Sequence, residues 1–282
     1  MKLGLSLGYA PPGTNPADLF PLVQEAERLG FDSVWVAEAW GTDAVSVLGW
    51  LAARTERIKL GSAIMQIPGR SPANTAMTAA TLDLLSGGRF LLGLGASHSA
   101  IVQDYARPYT HVVDYLDALD ALDPPLPAER RILAALGPRM LELAAARAAG
   151  AHPYFVPAEH TARARAVLGQ GPLLAPEVAV VLETDRTKAL ELARQYAAIY
   201  LPLPNYANNL RRFGYGDADI DGGGSDRLIE AVIPWGDADT IARRIREHLQ
   251  AGADHVCVQV VADFDKFPLA EYRTLAPALL GR

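Results

Sequence analysis

The sequence predicts a parallel α/β fold, and within that class it favours a closed (β/α)8 barrel of the TIM type. Short apolar runs alternate with helical patterns along the whole chain of 282 residues, which is typical of repeated βα units. Eight such units can be counted, and a barrel of this kind needs about 250 residues. A doubly wound open sheet shows the same alternation and is the alternative.

Local signals predict each element in turn. Each predicted strand is an apolar run, and several predicted helices have a proline in the first turn and a glycine just beyond the end, as is common for helices. The predicted strands are residues 2–7, 33–37, 59–64, 90–95, 131–136, 151–155, 178–182 and 255–261. The predicted helices lie near residues 15–29, 43–54, 72–85, 111–123, 138–149, 157–168, 185–200, 237–250 and 269–280.

One segment does not fit the simple alternation. Residues 201–227 are rich in Asn, Asp and Gly and lie before the last predicted strand. The segment is too long for an ordinary connection. We therefore expect an insertion, serving as a lid, an extra helix or a dimer surface, within a single barrel domain that spans residues 1–282.

Composition excludes several classes of partner. The 26 basic and 32 acidic residues are interspersed and give a net charge of −6, so no basic stripe is available for a nucleic acid. The single cysteine cannot form an internal disulfide, the N-terminus has no signal-peptide pattern, and no uncharged stretch reaches the roughly 18 to 20 residues of a membrane span. We expect a cytoplasmic protein that acts on a small molecule, without nucleic-acid or membrane partners.

The segment 54–97 indicates where a ligand binds. It contains two predicted strands that end in loops of small residues, Gly61-Ser62-Ala63-Ile64 and Gly93-Leu94-Gly95-Ala96-Ser97. Ligands of parallel α/β proteins sit at the carboxyl ends of the strands, and small side chains allow close approach of the backbone to a flat or phosphorylated ligand. The second loop lacks the third glycine of the Rossmann fingerprint, which disfavours a nicotinamide site of that type.

Polar residues follow two of these strand ends. Glu38 follows the second predicted strand and can accept a hydrogen bond from a cofactor ring or act as an acid or base; the alternative is a loop or capping acid. Trp40 can stack on a ring or cover the barrel mouth. His98 comes after the fourth strand, beside Ser97, and is a candidate proton donor; the alternative is an exposed loop histidine.

The remaining histidines and the cysteine are predicted to serve packing. His152 lies next to the start of the sixth predicted strand and His255 opens the last one, which places both at the face of a barrel that serves stability. Cys257 lies inside the apolar run Val256-Cys257-Val258 and is expected to be a small buried hydrophobe.

A possible phosphate site follows the fifth predicted strand. The chain passes from Leu136 through Gly137 directly into a helix whose first residue is Pro138, which leaves free backbone amides at a helix N-terminus. Arg139 can add positive charge. The alternative is an ordinary βα turn.

Taken together, these features resemble the bacterial luciferase-like superfamily of flavin and deazaflavin enzymes, over nearly the whole chain. The phrases that carry the resemblance are LGFDSVWVAE at 29–38, RTERIKLG at 54–61, RFLLGLG at 89–95 and ADHV at 253–256. The phrases ALGPRM at 135–140 and GAHPYFV at 150–156 are most similar to the branch of coenzyme F420-dependent oxidoreductases.

The resemblance implies a (β/α)8 barrel with the cofactor ring at the carboxyl ends of the strands. It also implies a non-prolyl cis peptide behind the ring, which by position falls on Ala63-Ile64, with Ser62-Ala63 one register away. The cofactor-binding residues implied or suggested by the motifs are Glu38, Ser62, Ala63, Ile64, Ala96, Ser97, His98, Leu136, Gly137, Pro138 and Arg139. Glu38 and His98 are the candidate catalytic residues.

One departure from the family pattern bears on the reaction. Sugar-phosphate dehydrogenases of this superfamily have a histidine after the acid at the second strand, and here that position is Ala39. The expected activity is hydride transfer between coenzyme F420 and an organic substrate. The alternatives are an FMN-dependent monooxygenase and a cofactor-binding protein without catalysis. Family members are commonly homodimers, and substrate contacts are expected from residues 9–15, 40–43 and 201–227.

Overall fold

The strands of this protein alternate with helices in the order that the sequence predicts. The computed structural model describes residues 2–8, 15–38, 42–102, 105–262 and 267–281. Within those ranges the strands are β1 (Lys2–Ser6), β2 (Ser33–Val36), β3 (Lys59–Ser62), β4 (Met65–Gln66), β5 (Phe90–Gly95), β6 (Arg131–Leu133), β7 (Gly150–Ala151), β8 (Leu173–Leu174), β9 (Glu177–Val180) and β10 (His255–Val260).

The helices of the described ranges cover the outside of the sheet or belong to the segment before β10. They are α1 (Phe20–Leu29), α2 (Ala44–Ala52), α3 (Pro72–Ser86), α4 (Pro108–Asp120), α5 (Pro138–Arg147), α6 (Ala158–Leu168), α7 (Arg186–Ala197), α8 (Pro204–Arg211), α9 (Asp217–Ile220), α10 (Asp226–Val232), α11 (Ala238–Gln250) and α12 (Leu269–Leu280).

The sheet is parallel and closes on itself. Its hydrogen-bonded order is β8-β7-β6-β5-β3-β2-β1-β10-β9, with β4 also paired to β5. The chain itself joins the two ends of this path, because β8 pairs with β7 and β9, only two residues further on, pairs with β10. Between them, the carbonyl of Pro176 accepts a hydrogen bond of 2.9 Å from the backbone N–H of Cys257. The predicted (β/α)8 barrel is therefore confirmed, with β3 and β4 as one interrupted strand and β8 and β9 as another.

Two predicted strands, 151–155 and 178–182, begin earlier than expected. The first is observed as β7, and the second is observed as β8 and β9. Prolines explain both differences, because a proline has no N–H to give to the ladder. Pro153 follows the end of β7, and Pro176 interrupts the strand between β8 and β9. This shift matters for the site, because it changes which residues follow the carboxyl end of β7.

Three apolar clusters hold the described structure together. The largest lies between the barrel and its helices, and a small one inside the barrel consists of Trp35, Ile132 and Cys257. The third packs α7 against the inserted helices α8 to α10, with Tyr200, Tyr206 and Leu210 among its buried members. The segment 201–227 thus folds as helices with a core of their own.

The described helices were also compared with the length and apolarity of a membrane span. Within the described ranges, none is both long enough and apolar enough to cross a bilayer.

Candidate active site

A cavity of about 350 Å³ opens at the carboxyl ends of the barrel strands, the face on which barrel enzymes carry their sites. Residues from β4, β5 and the loops after β2, β6 and β7 line it, together with α8 of the inserted segment. Predicted site residues that line it are Glu38, Ala63, Ile64, Ala96, Ser97, His98, Leu136 and Gly137. Most of the sequence-predicted candidates therefore share one cavity.

A bulge between β3 and β4 forms one wall of the cavity. The peptide bond Ala63-Ile64 is cis, which confirms the position that the resemblance implied. The glycines of β5 make room for the bulge: a Cβ at Gly93 would lie 2.1 Å from the carbonyl oxygen of Ser62, and one at Gly95 would lie 2.7 Å from Cδ1 of Ile64. The small-residue phrase in β5 therefore accommodates the neighbouring strand.

Ser62 lies behind this wall and does not line the cavity. Its side chain is fully buried, its hydroxyl donates to the carbonyl of Gly93 and accepts from the N–H of Gly93, and both distances are 2.9 Å. The structure therefore corrects its expected role: Ser62 joins β3 to β5, because both of its hydrogen bonds are used within the wall.

Glu38 is held in a fixed network at the cavity edge. Its Oε2 accepts a hydrogen bond of 2.9 Å from the N–H of Gln66, and its Oε1 accepts one of 2.7 Å from Arg70. Arg70 also contacts Asp43, and the hydrogen bond to Glu38 raises the pKa of the Arg70 guanidinium. Glu38 is thus a positioned hydrogen-bond acceptor, and Gln66 and Arg70 are site residues that the sequence did not indicate.

The loop after β5 brings Ser97 and His98 to the same cavity. The hydroxyl of Ser97 donates to Oε1 of Gln66 at 2.6 Å, and Ser97 has a positive φ of 66°. The ring of His98 lies 5.5 Å from that of Tyr206 in the inserted segment. Burial lowers the pKa of His98, although a hydrogen bond with Asn205 acts in the opposite direction, so burial favours the neutral imidazole.

The N-terminus of α5 closes one end of the cavity. Gly137 is its N-cap and has no side-chain cap. Pro138 has no N–H, and the N–H of Met140 donates to the carbonyl of Gly137 at 3.1 Å. The N–H groups of Gly137 and Arg139 are therefore the ones left for an anion. The guanidinium of Arg212, from the end of α8, lies against this glycine: a Cβ at Gly137 would be 3.3 Å from Nη1 of Arg212. Arg212 lines the cavity, and it was not among the predicted residues.

Pro138 and Arg139 do not line this cavity. The guanidinium of Arg139 lies 4.0 Å from the ring centroid of Tyr109, a cation–π contact. Among the described arginines, Arg212 is the one that lines the cavity and supplies the positive charge expected from Arg139.

His152 and Glu177 form a buried pair on the cavity floor. Nε2 of His152 is 3.3 Å from Oε2 of Glu177, and both residues line the cavity. The sequence-based placement of His152 at the stability face of the barrel was wrong. Because β7 ends at Ala151, His152 comes after the carboxyl end of the strand. The ring does pack, stacked on Trp35 at 4.7 Å.

The other two packing predictions are confirmed. His255 is buried, and its Nε2 lies 2.9 Å from the hydroxyl of Ser33. Cys257 is a free, buried thiol, and burial raises its pKa.

A chain of tyrosines forms a further wall that the sequence did not indicate. Tyr196 donates a hydrogen bond of 2.7 Å to Oε1 of Gln259, and Tyr154 and Tyr200 hydrogen-bond to Tyr196. Gln259 also lies close to Gly8, where a Cβ would be 2.3 Å from its Nε2. These residues come from distant positions in the chain, so only the closed barrel brings them together.

The predicted residues 9–14, Ala39 and Trp40 lie outside the described residues. Among those that are described, no group of three or more His, Cys, Asp or Glu side chains could hold a metal ion.

The described residues fit a flat ring joined to a phosphate. The wall beside Ile64 consists of small residues, namely Gly95, Ala96, Ala134 and Ala135, and uncapped amides with a guanidinium lie at one end. Such a set of apolar walls with few convergent polar groups is typical of a cofactor site. The fold and the cavity therefore define a barrel protein with a candidate ligand site at the carboxyl ends of its strands.

Comparison with known proteins gives the family. The family model for luciferase-like monooxygenases matches residues 1–255, and the chain belongs to that family. A Mycobacterium tuberculosis protein named as a coenzyme F420-dependent oxidoreductase is 46% identical over 124 residues, which are 42% of this chain and 35% of that protein. The chain spans about a third of the length of the first curated relatives it matches.

Solved structures agree with the fold. An F420-dependent secondary alcohol dehydrogenase in complex with an F420-acetone adduct superposes with a TM-score of 0.75 at 18% identity, over 99% of this chain and 98% of that one. The oxygenating constituent of 3,6-diketocamphane monooxygenase from Pseudomonas putida, in complex with FMN, gives a TM-score of 0.68 at 18% identity over 98% and 96%.

Proposed function

We propose that this protein is a coenzyme F420-dependent oxidoreductase that transfers a hydride between the deazaflavin ring and a small organic substrate. The observation that carries the proposal is the single cavity that combines the bulge at Ala63-Ile64, the small-residue wall of β5 and the uncapped N-terminus of α5 beside Arg212. The identity to the M. tuberculosis protein favours F420 as the cofactor.

Each part of the cavity has a distinct role in this proposal. Ile64 and Ala63 support one face of the ring, and Ala96, Ser97 and His98 line its edge. Glu38, held by Gln66 and Arg70, accepts a hydrogen bond from the ring. The N–H groups of Gly137 and Arg139 and the guanidinium of Arg212 hold the phosphate. When bound, F420 supplies or accepts the hydride, and the protein binds and orients both reactants.

The alternative is an FMN-dependent monooxygenase, since the fold is shared with an FMN complex and the same ring and phosphate sites suit FMN. Titration of the purified protein with each cofactor, followed by fluorescence quenching, distinguishes the two. We expect micromolar affinity for F420 and weaker binding of FMN. Micromolar binding of FMN with none of F420 would refute the proposal.

A variant tests the placement of the ring. Glu38→Ala removes the acceptor and leaves Arg70 without this carboxylate, so we expect weaker binding of F420. Glu56→Ala, at an exposed position outside the cavity, is the matched control. Unchanged affinity of Glu38→Ala would count against the placement of the ring beside Glu38. Tight F420 binding without turnover of any carbonyl or alcohol substrate would favour a non-catalytic binding protein.

A further inference from the structure

His152 and Glu177 form an acid–base pair on the floor of the cavity, and neither residue has a role in the function proposed above. His152 and Glu177 are 3% and 5% exposed, both line the cavity, and Nε2 of the histidine is 3.3 Å from Oε2 of the carboxyl group. His152 follows the carboxyl end of β7, Glu177 is the first residue of β9, and Tyr154 and Glu177 form a parallel bridge next to the pair.

The surroundings fix the geometry of this pair. The ring of His152 is stacked on Trp35 with an interplanar angle of 11°, and Nε1 of Trp35 donates a hydrogen bond of 2.8 Å to the hydroxyl of Ser33. On the other side, the backbone N–H of Glu177 donates to the carbonyl of Pro153 at 2.9 Å. The imidazole therefore cannot turn away from the carboxyl group without breaking the stack.

The described residues leave His152 and Glu177 without a neighbouring cation. Within the described part of the chain, the ion-pair contact of Glu177 is to His152 alone, and neither Lys nor Arg approaches it. The other titratable groups around the pair are the buried thiol of Cys257 and the phenols of Tyr154 and Tyr272. Among the described residues, His152 is therefore the ion-pair partner that holds Glu177 while its carboxyl group exchanges a proton with a bound molecule.

The two oxygens of Glu177 are not equivalent. Oε2 faces Nε2 of His152, whereas Oε1 has no hydrogen-bond partner among the described residues. A protonated Glu177 therefore carries a donor that the protein leaves free toward the cavity. Glu38 cannot take this role, because Gln66 and Arg70 already occupy both of its oxygens.

We propose that Glu177, held by His152, donates the proton to the heteroatom of a substrate with a polarised C=O or C=N bond, so that the site reduces such compounds. This inference rests on the proposed function. The reduced deazaflavin supplies the hydride and is itself oxidised. The substrate carbon gains the C–H bond as the π bond breaks, and the oxygen or nitrogen takes the proton from Oε1 of Glu177. The carboxylate that remains accepts a hydrogen bond from Nε2 of His152, and a solvent proton restores the acid.

The proton count can be measured without any cofactor. The whole protein is labelled with 13C at Glu carboxyl carbons and 15N in His rings and observed by NMR at pH 7, with Glu177→Gln and His152→Asn to assign the signals. The proposal requires a protonated Glu177 carboxyl group. Glu191→Gln and His111→Asn, at exposed positions, should leave these signals in place. An ionised Glu177, beside either a neutral or a protonated His152, would overturn the proposal.

Kinetics with reduced F420 and the carbonyl probes cyclohexanone and benzaldehyde test the role directly. Glu177→Gln keeps the shape but cannot give a proton, so kcat should fall by about 10² to 10⁴-fold, with cofactor affinity unchanged. The fall of kcat at high pH, where the wild-type pair loses its proton, should disappear. Glu177→Asp should recover part of the rate, and Glu191→Gln should match the wild type.

The outcomes separate this inference from the proposed function. If F420 binds and the probes are reduced but Glu177→Gln retains the wild-type kcat, the inference is wrong and the proposed function stands. If F420 binds and no carbonyl probe is reduced, the inference is again wrong. If neither probe reaction nor F420 binding is observed, both are wrong.

Discussion

The substitution Gly95→Ala tests whether the glycines of β5 exist to accommodate the bulge at Ala63-Ile64. A Cβ at this position would lie 2.7 Å from Cδ1 and 2.8 Å from Cγ1 of Ile64, and 3.1 Å from Cβ of Ala134. Ordinary contacts between carbon atoms lie at about 3.5–4.0 Å. The added methyl group therefore overlaps its neighbours by about 0.4–1 Å, and overpacking of this kind costs about 1–3 kcal/mol.

The expected change in melting temperature follows from the length of the chain. An unfolding entropy of about 2.1 cal/mol/K per residue gives about 0.6 kcal/mol/K for 282 residues, so the substitution should lower Tm by about 2–5 °C. The assay is thermal unfolding followed by circular dichroism, with F420 titration of the same samples. Affinity should fall as well, because Ile64 must move within the cavity wall.

Two further variants make the test specific. Gly49→Ala in α2 is the control, since its Cβ would meet only Cδ2 of Leu82 at 3.7 Å, and a helical alanine should stabilise by about 0.5–1 kcal/mol. Ile64→Val removes the nearest overlapping atom at a cost of about 0.5–1.5 kcal/mol by itself. The double variant Gly95→Ala/Ile64→Val should lose less than the sum of the single losses. A Gly95→Ala protein with wild-type stability, or exact additivity in the double variant, would refute the steric reasoning.

Three other outcomes are expected. In a fluorescence titration, Arg212→Met should weaken the binding of FMN or F420 about fivefold, because an exposed charge paired with a phosphate contributes roughly 1 kcal/mol. Binding of a phosphate-free chromophore should not change. Equal losses for both ligands, or the same loss in Arg243→Met, would contradict this prediction. Met77 and Leu84 on α3 are 61% and 83% exposed, and we expect them to lie in a homodimer interface. The double variant Met77→Glu/Leu84→Glu should then be a monomer by light scattering. A monomeric wild-type protein would refute this prediction. The hydrogen bonds from Arg28 and then Arg273 lower the pKa of Glu25 from 4.5 to about 2. The stability that Glu25 contributes is therefore complete above pH 4.5 and is lost as the pH falls toward 2. Glu25→Gln should flatten the dependence of the unfolding free energy on pH between these values, whereas an unchanged dependence would mean that the ion pairs contribute nothing.

Periodicity was sufficient for the fold because each barrel strand is a local apolar run with its own helix. The largest differences in bounds concern three predicted strands: 131–136, which ends at Leu133, and 151–155 and 178–182, which lie beside Pro153 and Pro176. An apolar run that includes a proline can be paired on either side of it, and only the neighbouring strands decide which part joins the ladder. The register with β6 placed β7 at residues 150–151.

Because the strand predicted at 151–155 was placed a few residues too late, His152 was not recognised from the sequence as a site residue. A strand at 151–155 puts His152 near the amino end of the barrel, whereas a strand that ends at Ala151 puts it at the cavity. The signal that could have found it is Pro153 itself, since a proline two residues into a predicted strand indicates that the strand ends before it. Arg212 and Tyr206 had no such signal, because their positions depend on how the inserted helices pack against the loop after β5.

The two halves of the cavity carry separate tasks, and this separation can be measured. The bulge and Gly95 belong to β3, β4 and β5, whereas His152 follows β7 and Glu177 begins β9. A polarised double bond placed between them can face the ring with its carbon and the acid with its heteroatom. No hydrogen bond among the described residues links Gly95 or Ile64 to Glu177, so their effects should add in free energy. Gly95→Ala should therefore reduce cofactor affinity by the same factor in the wild type and in Glu177→Gln, and Glu177→Gln should reduce kcat by the same factor in both backgrounds. A strong interaction between the two substitutions would show that ring and proton donor are not held by independent parts of the barrel.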